Sequence, residues 1–137
     1  WQEKNKMIGV VNGVDIIEVN RFEKLDPKIK ERFLKRVFSD AELGECSGST
    51  QSLAGKFATK EAASKALGCG IGTMRWQDLE ILKDDQGKPQ ILLHECAMEV
   101  ARSAGWFSWS VSISHTTTHA VAVVTALFDA TGRQGEP

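Results

Sequence analysis

Phe57-Ala58-Thr59-Lys60-Glu61-Ala62-Ala63-Ser64-Lys65-Ala66-Leu67-Gly68 is the stretch from which the rest of the chain is best read. Leu53 and Phe57, together with Ala54, Ala58, Ala62 and Ala66, recur at helical spacing as far as Leu67. The following Gly68-Cys69-Gly70-Ile71-Gly72 cannot easily continue a helix. The spacing therefore predicts a helix of about four turns, with an alanine side that lets neighbouring elements come close. Lys56, Lys60, Glu61 and Lys65 supply charge. By spacing alone, Glu61 and Lys65 make a surface ion pair contributing ~0.2–0.5 kcal/mol.

Upstream, Met7 to Val19 is rich in Val and Ile and interrupted by Gly9 and Gly13, which predicts a strand with a bend or bulge. Asp15 falls inside it, and a carboxylate in an apolar strand is costly unless it is hydrogen-bonded, paired or metal-bound. Position alone leaves a strand-end hydrogen bond and a functional role equally open. After Pro27, Ile29, Phe33 and Val37 recur every four residues, with Leu34 and Phe38 beside them, as one face of an amphipathic helix. From Arg21 to Arg36 seven basic residues face three acidic ones, a local net of +4. A solvated face is the ordinary reading of such a run. Ser39 and Glu42 have capping-box spacing, so a short helix starts there and gives way to a loop from Gly44 to Gln51.

Downstream, Asp78 to Lys83 and Gln90 to Leu93 read as strands around the turn Asp84-Asp85-Gln86-Gly87-Lys88-Pro89. A helix from about His94 to Ala104 ends at Gly105. Trp109 to Ser114 alternates, with Val111 and Ile113 on one side and Ser110, Ser112 and Ser114 on the other. Ala120 to Phe128 is a further strand, and His115-Thr116-Thr117-Thr118 joins the two as a hairpin loop. Residues 7–128 make one domain. Residues 1–6 are read as a flexible extension, a remnant or the cut edge of a longer polypeptide, and residues 129–137 as a frayed tail.

The whole chain has 137 residues, 42% hydrophobic and 26% charged, with a net charge of -1. These values suit one packed domain and argue against nucleic-acid binding through bulk positive charge. Cys46, Cys69 and Cys96 are odd in number and fit no C-x-x-C pattern, so a reducing cytoplasm is the simplest setting. No apolar run approaches the roughly 18 residues of a membrane span. His115 and His119 have zinc-ligand spacing but no Glu after the first His, and three threonines between them disfavour a helix. The glycine-rich 68–72 loop follows a helix and lacks the Lys-Ser/Thr pair of a P-loop.

Three segments together say more. Gly13-Val14-Asp15-Ile16-Ile17-Glu18 with Arg21, the helix pattern F-x-x-K-E-A-x-x-K-A-x-G over 57–68, and Ser112-Ile113-Ser114-His115 resemble the phosphopantetheinyl transferases, in particular the small holo-acyl-carrier-protein synthase group. The resemblance runs from about Met7 to Phe128; Cys69 stands where the family commonly has Thr, and Val11-Asn12 replace a tighter glycine pattern.

The resemblance implies an α+β fold, an antiparallel sheet packed against a long helix, assembled as a homotrimer with coenzyme A between subunits. It implies Mg2+-dependent transfer of the 4′-phosphopantetheine arm of coenzyme A to a serine of an apo-acyl carrier protein. Asp15 and Glu61 match the family's metal ligands, and Lys65 would face the diphosphate and stabilise the leaving phosphate. Glu61 is the first candidate general base and Lys65 the second. Lys60, Gly68, Gly70, Ser114 and His115, with Gly87-Lys88-Pro89, resemble coenzyme A contacts. Acyl carrier proteins are acidic, so Arg21, Lys28 and Arg32 become a docking face. The alternatives are another Mg2+-dependent nucleotide or diphosphate enzyme, and a non-catalytic module that binds coenzyme A or acyl carrier protein.

Overall fold

The computed structural model describes residues 7–72 and 74–131, so the expectations for residues 1–6 and 132–137 lie outside the described residues. Strand β1 (Ile8–Glu18) leads through a single turn of helix, α1 (Asn20–Glu23), into α2 (Pro27–Val37), α3 (Asp40–Cys46) and the long α4 (Thr50–Leu67). A 3-10 turn at Trp76–Asp78 opens the hairpin β2 (Leu79–Lys83) and β3 (Pro89–Leu93), followed by α5 (Glu95–Ser103), β4 (Trp106–His115) and β5 (His119–Asp129). One antiparallel sheet has the order β1-β5-β4, and β2-β3 is a second. Trp109 on β4 ties them together by donating its indole N–H to the carbonyl of Ile91 at 3.0 Å.

Helix α4 is the centre of the molecule. Ala54, Ala58, Ala62 and Ala63 are fully buried, and so are Ala120, Ala122, Val124 and Ala126 on the facing side of β5. Small residues on both elements let helix and sheet approach closely. The limit is reached at Gly13, where a β-carbon would run into the carbonyl oxygen of Ala62 and lie 2.9 Å from the amide of Ala66. Gly9 lies under the ring of Phe128 in the same way. The expected bulge in β1 is thus absent: its register with β5 runs unbroken from Ile8 opposite Asp129 to Glu18 opposite His119. Its glycines provide room. The sheet's irregularity lies in β4, between Trp106 and Ser108.

Other expectations shift at their edges. The capping box at Ser39 and Glu42 forms, and the loop before α4 shrinks to three residues because Ser47 turns left-handed (φ 49°) and Ser49 caps α4. His115 is the last residue of β4, leaving the loop to Thr116–Thr118. Asp78 belongs to the 3-10 turn and is buried there. Ile29, expected on the buried stripe of α2, is 55% exposed. The start of the supposed frayed tail is tied down: the amide of Asp129 donates to Gly105 and that of Ala130 to Met7.

Phe22, Phe33, Phe57 and Trp76 knit α1, α2, α4 and the 3-10 turn, with ring centroids 5.1–5.7 Å apart along the cluster. Such pairs add about 0.5–1.5 kcal/mol each beyond the area they bury. Beneath them lies a fully buried ion pair. Lys60 donates to Glu42 Oε1 at 2.9 Å and to the carbonyls of Trp76 and Leu79, using all three ammonium protons. Glu42 also accepts from the amides of Ser39 and Ile81. Burial pushes the Lys60 ammonium below its usual value, against the pull of Glu42. Removing either partner alone would cost about 3–5 kcal/mol through the charge left behind.

Candidate active site

The C-terminal half of α4 and the middle of β1 bring the central candidates together. Asp15 alternates with exposed Val14 and Ile16 and so turns inward, toward α4. Lys65, one turn beyond Glu61, reaches across to donate to Asp15 Oδ1 and to the carbonyl of Val14, each at 3.0 Å. The pair is only partly withdrawn from solvent, with Lys65 54% and Asp15 18% exposed. Lys65 therefore pairs with Asp15, and the local Glu61–Lys65 bridge that spacing suggested does not form. Burial, and next the charge of Asp15, raise the Glu61 carboxyl above its usual value against the pull of Lys65 and Arg21. Arg21 rests its guanidinium over the Phe57 ring at 5.5 Å, one helical turn before Glu61. Gly68 closes the helix in the left-handed conformation (φ 75°), with its amide donating to Lys65 and Ser64. It delivers the 68–72 loop, Gly70 included, to this end of α4.

The remaining coenzyme A candidates divide. A cavity of about 190 Å³ opens at the other end of α4, walled by Glu45, Lys56, Lys83, Pro89, Ile113 and His115 among others. His115 and Pro89 thus share a cavity, but not with Asp15: β1 and β4 are opposite edges of the sheet. Lys56 and Lys65 are about 14 Å apart along the helix axis at 1.5 Å per residue. Ser114 points the other way from His115, on the solvent face of β4 with Ser110 and Ser112. Gly87 and Lys88 sit at the tip of the β2-β3 hairpin, where Asp84 accepts from the amides of Gln86 and Lys88. Lys60 corrects the expectation outright, because its ammonium is committed inside the core and cannot reach a phosphate.

Sequence reasoning passed over Lys56 and Glu45. Lys56 is buried at 6% exposure and donates to Glu45 Oε1 and to the Ile81 carbonyl, both at 2.6 Å. Eleven residues separate the two partners, which no helical periodicity would link; the signal available was a lysine one turn ahead of Lys60 on an alanine-rich helix. Arg21, Lys28 and Arg32 all lie on the exposed surface of α1 and α2, beside the exposed Ile29.

Comparisons with known proteins show what the whole chain is similar to. Residues 12–124 match the 4′-phosphopantetheinyl transferase superfamily. The holo-[acyl-carrier-protein] synthase of Herpetosiphon aurantiacus is 40% identical over 125 residues, covering 86% of this chain and 98% of its own. That of Alkaliphilus metalliredigens is 46% identical over 113 residues, 80% of this chain and 92% of its own. Among solved structures, the Helicobacter pylori holo-[acyl-carrier-protein] synthase in complex with coenzyme A superposes with a TM-score of 0.76 at 39% identity, over 84% of this chain and 98% of the other. The Bacillus anthracis enzyme in complex with coenzyme A (3′,5′-ADP) gives 0.71 at 34% identity, over 90% and 100%. With its long helix seated on an antiparallel sheet and Asp15, Glu61 and Lys65 gathered at one end of that helix, the chain belongs to the 4′-phosphopantetheinyl transferase superfamily.

Proposed function

We propose that this protein transfers the 4′-phosphopantetheine group of coenzyme A to a serine of an apo-acyl carrier protein, releasing adenosine 3′,5′-bisphosphate. The observation that carries the reading is the meeting of Asp15, Glu61 and Lys65 across β1 and α4 in a chain of this family. Attack of a hydroxyl on a phosphorus flanked by anionic oxygens needs charge neutralisation and alignment above all. Lys65, held by Asp15 and the Val14 carbonyl, presents a fixed cation to the diphosphate and stabilises the leaving phosphate. Glu61, one turn from Lys65 on α4, is the first candidate to take the proton from the serine hydroxyl, and Lys65 the second.

The two carboxylates fit Mg2+, which commonly takes one or two of them and completes its shell with phosphate oxygens and waters. Among the described residues no group of three or more His, Cys, Asp or Glu is assembled, as a zinc site held by protein side chains alone would require. Asp15 and Glu61 would hold the ion, and the chemistry it would supply is neutralisation of the diphosphate.

The separation of the Asp15 end from the His115 cavity supports a homotrimer with coenzyme A between neighbouring copies. So does the outer face of β1. Val10, Val14 and Ile16 are 64%, 54% and 65% exposed, on an edge strand that no described strand pairs on its free side. A long apolar edge of this kind calls for a cover. Arg21, Lys28 and Arg32 would receive the acidic carrier protein beside the carboxylates. No helix among the described residues is long and apolar enough to cross a membrane, and the reaction is assigned to the cytoplasm.

The test is incubation with coenzyme A, Mg2+ and several apo-carrier proteins, read by intact-protein mass spectrometry. The phosphopantetheine adduct should appear on at least one carrier and vanish on chelation of the metal. No adduct on any of them would overturn the reading.

A further inference from the structure

The cavity at the N-terminal end of α4 contains an uneven charge arrangement. Lys56 is buried in its wall and has spent two of its three protons, on Glu45 and on the Ile81 carbonyl; no third acceptor is present among the described residues. Lys83 and His115 stand in the same wall, and Glu45 is the one carboxylate among the lining residues. Glu45 cannot swing away easily, because both its oxygens also accept from the Lys83 amide, at 3.2 and 3.1 Å. A phosphate entering here would meet the lysines while facing a fixed negative charge.

Coenzyme A carries a ribose 3′-phosphate in addition to its diphosphate. With the diphosphate at the Asp15 end, the 3′-phosphate needs cations elsewhere, and this cavity supplies them. We propose that Glu45 is a specificity-determining residue: by half-neutralising Lys56, it limits how strongly the cavity prefers coenzyme A to dephospho-coenzyme A, which lacks the 3′-phosphate. The inference rests on the transferase reading and adds to it. Glu45 acts as the counter-ion that keeps a buried ammonium tolerable before ligand arrives, and its charge weakens the grip on phosphate afterwards.

The test is calorimetric titration of the assembled protein in Mg2+ with both nucleotides. Glu45→Gln keeps the shape and an oxygen for Lys56 but removes the charge. It should tighten coenzyme A binding about three- to tenfold and leave dephospho-coenzyme A within about twofold. Lys56→Gln should weaken coenzyme A by about tenfold and erase most of the preference. Should Lys56→Gln fail to fold, Glu45→Gln carries the test alone. An unchanged ratio of the two affinities in Glu45→Gln, or equal tightening of both nucleotides, overturns the role of Glu45 and leaves the transferase reading intact. If neither nucleotide binds the unaltered protein, the transferase reading falls and this one with it.

Discussion

The two ends of α4 contrast in how they hold charge. At the C-terminal end Lys65 is half exposed and Asp15 and Glu61 lie near the surface, so the paired cluster can be reached from solvent. At the N-terminal end Lys56 is buried and paired with Glu45. The first end suits a reaction in which charge moves, and the second suits recognition of a charge that stays put. On the proposed reading, one copy of the chain carries the reacting half beside β1 and the recognising half beside β4, the two edges of the sheet. The apolar outer face of β1 adjoins the reacting half, so a neighbouring copy docked there would bring a recognising half to it.

The largest expected effect falls on the reacting half. Asp15→Asn or Glu61→Gln should lower turnover by about 10²–10³-fold while coenzyme A still binds in a titration, because charge aimed at the transition state is lost. Equal turnover would end the assignment of roles to the two halves. Next comes the surface between them and the solvent: the double reversal Arg21→Glu with Arg32→Glu should raise the carrier-protein KM about tenfold at low salt, with less effect at high salt. An unchanged KM at low salt removes the docking face.

The smallest effect lies behind the cavity wall, on β2. Burial opposes ionisation of Glu80, but hydrogen bonds from Ser39 and His94, with the charge of His94, hold its carboxyl below the ordinary value of 4.5. A carboxyl made more acidic by folding contributes stability above its unfolded value and loses that contribution as pH falls through the folded one. Glu80→Gln should therefore cost about 1 kcal/mol in urea unfolding at pH 7 and progressively less as the pH is lowered below 4.5. The rate of transfer per folded molecule should not change. A loss of stability independent of pH would contradict the assignment.

What the sequence made legible depended on whether a residue's partner was local. Helix α4, the Ser39–Glu42 box and the alternation of Val111, Ile113 and the serines are patterns within one element, and they formed as read. Asp15 stands out as a carboxylate in an apolar strand, whereas Glu61 reads by spacing as a surface ion-pair partner and becomes a candidate only through the family resemblance. The inward turn of Lys56 and Lys60 was hidden, since their partners Glu45 and Glu42 arrive on α3 from 11 and 18 residues away. Those lysines looked like a polar helix face but are interior counter-ions. Helix α1 was missed because it is four residues long and has no side-chain cap. Gly13 looked like a break in a strand, but the reason for it, the backbone of α4, lies some fifty residues further along the chain.

Subunit complementation tests the division of labour between the two ends of α4 most directly. Chains carrying Asp15→Ala and chains carrying Lys56→Gln with His115→Ala are each to be assayed alone at limiting coenzyme A, then coexpressed as mixed assemblies. If reacting and recognising halves meet across subunits, the mixture regains transfer well above either variant, because an intact Asp15 from one chain faces an intact cavity from the next. Activity that never exceeds the average of the two pure variants at any ratio would contradict the account.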